Sequence, residues 1–131
     1  MSEPIDLVRS SYERFNADDL EGALAMMDDD IVWHQAQGLP HGGTYHGLPA
    51  VRAAIFDPLG EQWWDDFRAD PDEIEGAGDT VIVIGRYTAR AKRTGKPLDV
   101  PFCHIWRFRD GRAVRFHQFV DTHGWRQALT D

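Results

Sequence analysis

Two polar side chains interrupt an otherwise apolar pair of segments near the carboxyl end of the sequence. His104 stands between Phe102 and Trp106, and Gln118 follows Phe116 by two residues. An imidazole can donate, accept or transfer a proton near neutral pH, whereas an amide can only donate and accept hydrogen bonds. An apolar cavity with a few convergent polar groups is typical of small-molecule sites. The pattern therefore predicts a ligand pocket, although His104 could instead bond a neighbouring carbonyl in an ordinary core.

A carboxylate at the end of the same segment could complete an acid–base pair. Asp121 comes directly after Val120. Turned inward by a bulge, it would act as a base or orient His104, and such a pair contributes roughly 10²–10⁴-fold through general acid–base catalysis. Turned outward, it would cap the C-terminal helix. The catalytic candidates are His104 and Asp121, and the sequence leaves both roles of Asp121 open.

The other reactive side chains do not form a recognisable metal or cofactor motif. The six histidines include no H-x-x-x-H pair on a helix and no cysteine at ligand spacing. The glycine-rich segment 38–43 lacks both the lysine and the strand–loop–helix context of a phosphate-binding loop. Cys103 has no evident base beside it. We therefore expect no metal, no cofactor and no cysteine nucleophile.

The register of the last hairpin decides which side chains share the pocket. Predicted strands over 98–109 and 112–121 meet at an Asp-Gly turn. A two-residue type I′ loop would pair His104 with His117, whereas a three-residue loop with a left-handed glycine would pair it with Phe116. Because a one-residue slip exchanges the two faces, the second register is preferred, since it alone separates polar from apolar residues. Its inner face holds Val100, Phe102, His104, Trp106, Phe108, Val114, Phe116, Gln118 and Val120.

Aromatic residues from other elements are expected to complete the pocket wall. A predicted strand over 80–91 alternates in its second half and places Tyr87 on its covered face. Trp33 ends a short apolar strand, and Tyr45 lies in the glycine-rich loop that follows. The predicted substrate-binding residues are Trp33, Tyr45, Tyr87, Phe102, Trp106, Phe116 and Gln118.

The spacing of apolar residues changes along the chain, and this spacing predicts the helices and strands that position the site residues. Apolar residues recur at helical spacing over 5–15, over 20–27 and from Leu48 onward, and strands follow in the second half. Helices followed by antiparallel strands predict an α+β fold with helices on one face of a sheet. With 131 residues, 42% of them hydrophobic, the sequence suits a single domain over 1–131.

Composition disfavours several classes of partner. The formal net charge of −8 opposes binding to nucleic acid or to anionic membranes. The single cysteine fits a reducing compartment, and the sequence shows neither a secretory leader nor an apolar run long enough to cross a bilayer. We therefore expect a cytoplasmic protein with a small apolar molecule as its partner.

Four motifs, in order and spacing, resemble the nuclear transport factor 2-like superfamily in its SnoaL-like, ketosteroid-isomerase-related branch. They are Tyr12-x-x-Phe15-Asn16-x-x-Asp19-Leu20, Asp29-Asp30-Ile31-Val32-Trp33, Gly43-Thr44-Tyr45-His46-Gly47 and His104-x-Trp106-x-Phe108-Arg109-Asp110-Gly111-Arg112, the last running into Phe119-Val120-Asp121. The resemblance implies a cone: a strongly curved, mainly antiparallel sheet wrapped around three N-terminal helices, with an internal pocket. It also implies a homodimer through the outer sheet face, where Ile105 and Phe119 are expected to point outward.

The resemblance implies the family's fold, but the residues at the family's catalytic positions differ in this sequence. The carboxylate base of ketosteroid isomerases falls near Gln35, and their first-helix tyrosine near Ser11, next to Tyr12. Their protonated carboxylic acid falls at His104, and the aspartate of SnoaL-type cyclases near Gln118. Classical ketosteroid isomerase activity is therefore not expected, because an amide cannot take a proton. Two functions stay open: acid–base catalysis on a small, mostly apolar molecule (isomerase, cyclase, dehydratase or hydrolase type), and a non-catalytic, dimeric binding or accessory module.

Overall fold

The computed structural model describes residues 3–131, which form one sheet of six strands and a set of helices. The helices are α1 (Pro4–Asn16), α2 (Leu20–Leu24), α3 (Leu48–Val51) and α4 (Thr122–Leu129), with π-helical turns at Arg52–Phe56 and Leu59–Trp63. The strands are β1 (Met27–Gln35), β2 (Gly43–His46), β3 (Trp64–Ala77), β4 (Thr80–Ala91), β5 (Pro97–Arg109) and β6 (Arg112–Val120). Over the same residues, no helix is long and apolar enough to cross a membrane.

The sheet is curved and open, with the strand order β2-β1-β6-β5-β4-β3. Neighbouring strands are antiparallel except β1 and β6, which run parallel. The parallel contact lets the first strand lie beside the last and brings the amino-terminal half of the chain onto the hairpin that carries His104. The predicted α+β class is confirmed, with a mixed sheet.

The sheet and helix α1 bury complementary apolar faces. Strand β4 alternates, so that Val81, Val83 and Tyr87 are buried while Ile82 and Ile84 are exposed. In α1, positions 8 and 12 lie on the same side of the helix because four residues make about one turn, and both are buried. The inner face of the sheet and this helix therefore enclose the core.

The last hairpin follows neither predicted register. Asp110 and Gly111 have φ values of 52° and 76°, which fit a two-residue type I′ turn. A β-bulge at Val114 then shifts the pairing by one residue, so that His104 lies opposite Gln118. The predicted pairing of His104 with Phe116 is wrong.

The bulge nevertheless restores the predicted inner face beyond the turn. His104, Trp106, Phe116 and Gln118 are all buried, as expected from the separation of polar and apolar residues. Two residues of the predicted inner face are only partly buried: Val114, the bulged residue, whose neighbour Ala113 is buried instead, and Val120 at the end of β6. Turn type alone therefore does not fix the faces of this hairpin.

The segment between β1 and β3 also departs from prediction. The loop expected over 37–47 contains strand β2, which pairs with β1. The helix expected from Leu48 continues as two π-helical turns on either side of Pro58, whose ring cannot donate a backbone hydrogen bond. Helix α2 is capped by Asp19, one residue after the expected Asp18.

Candidate functional site

A cavity of about 70 Å³ lies between the sheet and the helical segments. Most of its wall is apolar or aromatic, with side chains from Phe15, Ala23, Met27, Trp33, Ile55, Phe56, Leu59, Phe67, Ala69, Trp106, Phe116 and Trp125. Its polar side chains come from Ser11, Tyr12, Gln35, Tyr87, His104 and Gln118. Among the described residues no carboxylate lines it, so its chemistry rests on hydroxyl, imidazole and amide groups.

His104 lies between two tyrosine hydroxyls at the polar end of the cavity. Its Nδ1 is 2.5 Å from the Tyr12 hydroxyl, and its Nε2 is 2.5 Å from the Tyr87 hydroxyl. The Trp106 indole donates to the Tyr12 oxygen at 2.9 Å, and the Gln118 amide nitrogen donates to the Tyr87 oxygen at 2.9 Å. Each tyrosine oxygen therefore accepts one hydrogen bond from a donor other than His104.

The Tyr12–His104–Tyr87 network has three protons and only two contacts in which they can be shared. A neutral imidazole carries one N–H, and each tyrosine carries one O–H. One nitrogen of His104 accepts from one hydroxyl, so the other nitrogen donates to the second hydroxyl. The tyrosine that accepts from His104 keeps its own proton, for which no acceptor exists among residues 3–131. The network thus presents one surplus hydroxyl donor, on either Tyr12 or Tyr87.

Burial sets the protonation of all three groups. It lowers the pKa of His104 well below the ordinary imidazole value, because no opposite charge compensates for lost solvation. It also raises the pKa of Tyr12 and that of Tyr87, despite the hydrogen bonds from Trp106 and Gln118. The imidazole is therefore neutral and the hydroxyls stay protonated at neutral pH. The site is a hydrogen-bond donor rather than a strong base.

The second chain of hydrogen bonds runs from the cavity wall to the loop before β2. The Trp33 indole donates to Gln35 Oε1 at 2.8 Å, and Gln35 Nε2 lies 3.0 Å from His41 Nε2. Gln118 ties this region to the tyrosines, since its Oε1 accepts from the Ala36 backbone N–H at 3.0 Å. Hydrogen bonds therefore fix the orientation of both side-chain amides, that of Gln35 and that of Gln118.

Of the two roles that the sequence leaves open for Asp121, the structure has the helix cap and not the pair with His104. Asp121 is exposed and is the N-cap of α4, where its side chain accepts from the Gly124 backbone N–H at 3.0 Å. Helix capping satisfies a backbone donor that would otherwise have no intrahelical partner. The carboxylate therefore lies outside the cavity, and His104 is bonded to tyrosines instead.

The other predicted site residues divide into three groups. Trp33, Tyr87, Trp106, Phe116 and Gln118 line the cavity together with His104. Phe102 is buried behind His104, and the two rings stack with their centroids 3.9 Å apart. Tyr45 lies outside, where its hydroxyl donates to the His41 carbonyl at 2.9 Å.

The sequence analysis missed several residues of the site. Tyr12 lies within the helical apolar pattern over 5–15, and this position is the available signal, because a buried tyrosine hydroxyl requires a partner. Gln35 lines the cavity at the position where the resemblance places the base of ketosteroid isomerases, whereas nothing in the sequence around Trp125 indicates that this residue lines the cavity. Over the part of the chain that the structure describes, no group of three His, Cys, Asp or Glu side chains could hold a metal ion.

Comparison with known proteins places the chain in a family. The model of the SnoaL-like domain matches residues 8–116. The chain belongs to the SnoaL-like domain family. An NTF2-like protein of Burkholderia thailandensis E264 is 34% identical, with a TM-score of 0.94 and complete coverage of both chains. No functionally curated protein matches the sequence.

Two further solved structures share the fold of this SnoaL-like protein. TerC, co-crystallised with polyporic acid, is 28% identical, with a TM-score of 0.87, and the match covers 99% of this chain and 100% of that one. Bal32a, from a soil-derived mobile gene cassette, is 27% identical, with a TM-score of 0.83 over 95% of each chain. The predicted superfamily and its SnoaL-like branch are thereby confirmed.

Proposed function

We propose that this protein binds a small, mostly apolar molecule through a carbonyl or similar acceptor oxygen, in the cavity beside His104. The surplus hydroxyl proton of the Tyr12–His104–Tyr87 network carries the proposal. A buried polar hydrogen without a partner costs about 1–3 kcal/mol, so an acceptor oxygen placed there is stabilised by removing that cost. The aromatic wall supplies the remaining contacts.

Acid–base chemistry follows from the same geometry. A hydroxyl that donates to a carbonyl oxygen stabilises negative charge that develops there when a neighbouring C–H bond is broken. The hydroxyl shares its proton with that oxygen without releasing it, and the proton from carbon passes to a water molecule, because no carboxylate lines the cavity among the described residues. The proposed activity is therefore carbonyl activation, as in isomerase, cyclase, dehydratase or hydrolase reactions.

One observation favours a second candidate, a binding or accessory module without catalysis. The cavity has no carboxylate among its described residues, and the pKa of His104 is lowered by burial. A site of this kind polarises a carbonyl but contains no strong base to remove a proton from carbon. The two candidates share the ligand and differ in whether a proton leaves it.

We propose that a ligand enters the cavity beside the π-helical turns. Phe15, Phe56, Leu59 and Phe67 line both the cavity and a neighbouring surface groove, so they separate the two. The cavity of about 70 Å³ is smaller than the ~150 Å³ that holds a benzene molecule. Entry of a ring therefore requires these side chains to move outward, and π-helical turns are frequent at functional sites.

The relative TerC supports the ligand class. Its structure contains polyporic acid, and it aligns with this chain over nearly the full length of both. Polyporic acid is accordingly one probe for this protein, beside simple ketones of the size of a single ring.

Cyclohexanone in D₂O tests binding and catalysis together. Line broadening of its ¹H signals reports binding, and loss of the signals beside the carbonyl reports proton exchange. The double variant Tyr12→Phe/Tyr87→Phe should lose both effects, whereas Tyr45→Phe, whose hydroxyl lies outside the cavity, should keep them. Binding without accelerated exchange would select the non-catalytic candidate. Unchanged binding in the double variant would exclude the proposed site.

We also propose a homodimer through the outer sheet face. Ile82, Ile84 and Phe119 expose 37%, 42% and 48% of their surface there, although each is large and apolar. Large apolar side chains grouped on one exposed face are characteristic of protein interfaces. A second copy of the chain would bury them.

A further inference from the structure

Three buried ring nitrogens near the cavity have no hydrogen-bond partner among the described residues. They are Nδ1 of His41 and Nε1 of Trp64 and of Trp125. Both tryptophans are 1% exposed, so water does not reach their N–H groups from the surface. Buried donors are normally satisfied in native proteins, and an exception calls for an explanation.

Bonded neighbours determine where the proton of His41 lies. The Trp33 indole can only donate, so the oxygen of Gln35 faces it and the amide nitrogen of Gln35 faces His41 Nε2. An amide nitrogen is also only a donor, and His41 Nε2 must therefore accept. Burial lowers the pKa of His41, which keeps the ring neutral. Its single proton consequently lies on Nδ1, the unpartnered atom.

The three rings form one group, which we call the Trp125 cluster. The ring centroid of Trp125 lies 5.3 Å from Trp64 and 5.9 Å from His41. Trp125 itself lines the cavity, and its centroid is 5.5 Å from that of Tyr87. The cluster is thus a second set of donors, one ring away from the tyrosine network, and all of its unpartnered atoms are N–H groups.

We propose that the Trp125 cluster binds a second acceptor oxygen of the ligand, through the indole N–H of Trp125 with His41 Nδ1–H behind it. The inference rests on the proposed function and narrows its ligand class. Compounds with two acceptor oxygens on one ring, such as diketones and quinones, fit two donor sites that lie at neighbouring positions of the cavity wall. A compound with one carbonyl satisfies only the tyrosine hydroxyl.

The matched pair cyclohexane-1,4-dione and cyclohexanone tests the second site, because the two differ by one carbonyl. Calorimetric titration should show the dione binding about fivefold more tightly, as expected for one further net hydrogen bond. Trp125→Phe removes the N–H and keeps an aromatic ring, so it should abolish this preference and make the affinities for the two ketones equal within twofold. Trp63→Phe is the control, since Trp63 stacks on His41 and its nitrogen is not among the buried unpartnered ones.

A spectroscopic measurement on the unaltered protein covers the case in which Trp125→Phe fails to fold. In ¹H–¹⁵N spectra the Trp125 indole N–H signal should move downfield with the dione and stay in place with cyclohexanone. Equal affinity for the two ketones, with no indole shift, would overturn the second site and leave the proposed function standing. Failure of the dione, cyclohexanone and polyporic acid alike to bind would count against both.

Discussion

Replacing Tyr12 with phenylalanine should destabilise the protein more than the loss of one partly exposed hydrogen bond. The change preserves the ring and removes only the hydroxyl, so two buried groups lose a partner at once: the Trp106 indole N–H and Nδ1 of His104. Each unsatisfied buried group costs about 1–3 kcal/mol. Because the variant also loses one of the three network protons, the number of unsatisfied groups rises by one, which gives a loss of roughly 1–3 kcal/mol in the free energy of unfolding. Urea unfolding at pH 8, followed by circular dichroism and tryptophan fluorescence, measures it.

Tyr45→Phe is the matched control. Its hydroxyl makes a single bond to the His41 carbonyl in a half-buried position, so its loss should cost only about 0.5–1.5 kcal/mol. A Tyr12→Phe variant no less stable than Tyr45→Phe would refute the reasoning, since it would mean that the hydroxyl does not satisfy Trp106 and His104 together.

The remaining predictions concern protonation, capping and assembly. Burial lowers the pKa of His104 and of His41 in the folded state, so the unfolded chain takes up protons first as pH falls. The free energy of unfolding should therefore decrease below about pH 6.5, by about 1.4 kcal/mol per pH unit for each histidine until its folded pKa is reached. Denaturant titrations between pH 7.5 and 5.5 measure this slope, and a flat profile would contradict neutral buried imidazoles. Asp121→Ala should lower stability by about 0.5–2 kcal/mol through loss of the α4 cap, while cyclohexanone affinity stays unchanged; a loss of affinity would place Asp121 in the site after all. Phe119→Lys should convert a dimer into a monomer in sedimentation experiments, because it puts a charge on the exposed apolar face, and an unaltered mass would exclude this face as the interface.

Sequence patterns predicted the inner face of the site well where alternation is strict. His104, Trp106, Phe116 and Gln118 share a face because side chains in strands alternate, and separating polar from apolar residues identifies that face. The pairing failed because the Asp-Gly turn and the bulge at Val114 each shift the register by one residue. The type of a turn depends on its own residues and can be predicted from them. The position of a bulge depends on which strand faces become buried in the fold, so the local sequence does not predict it.

The groups that complete the site were beyond reach of local patterns. Tyr12 meets His104 across 92 positions of the sequence, and only the packing of α1 on the sheet brings them together. His41 lies in a loop whose composition predicts no more than a turn, yet Gln35 fixes its tautomer. Asp121 was ambiguous because a residue at a strand end can serve either the strand or the following helix, and here the helix cap prevails.

The infrared C=O stretch of bound ¹³C-labelled cyclohexanone tests the central claim most directly. A surplus tyrosine hydroxyl that donates to the carbonyl should shift the band to lower frequency than in an apolar solvent, and Tyr12→Phe/Tyr87→Phe should remove the shift. A bound ketone with the same frequency as in an apolar solvent would contradict the account, because it would show that neither hydroxyl donates to the ligand.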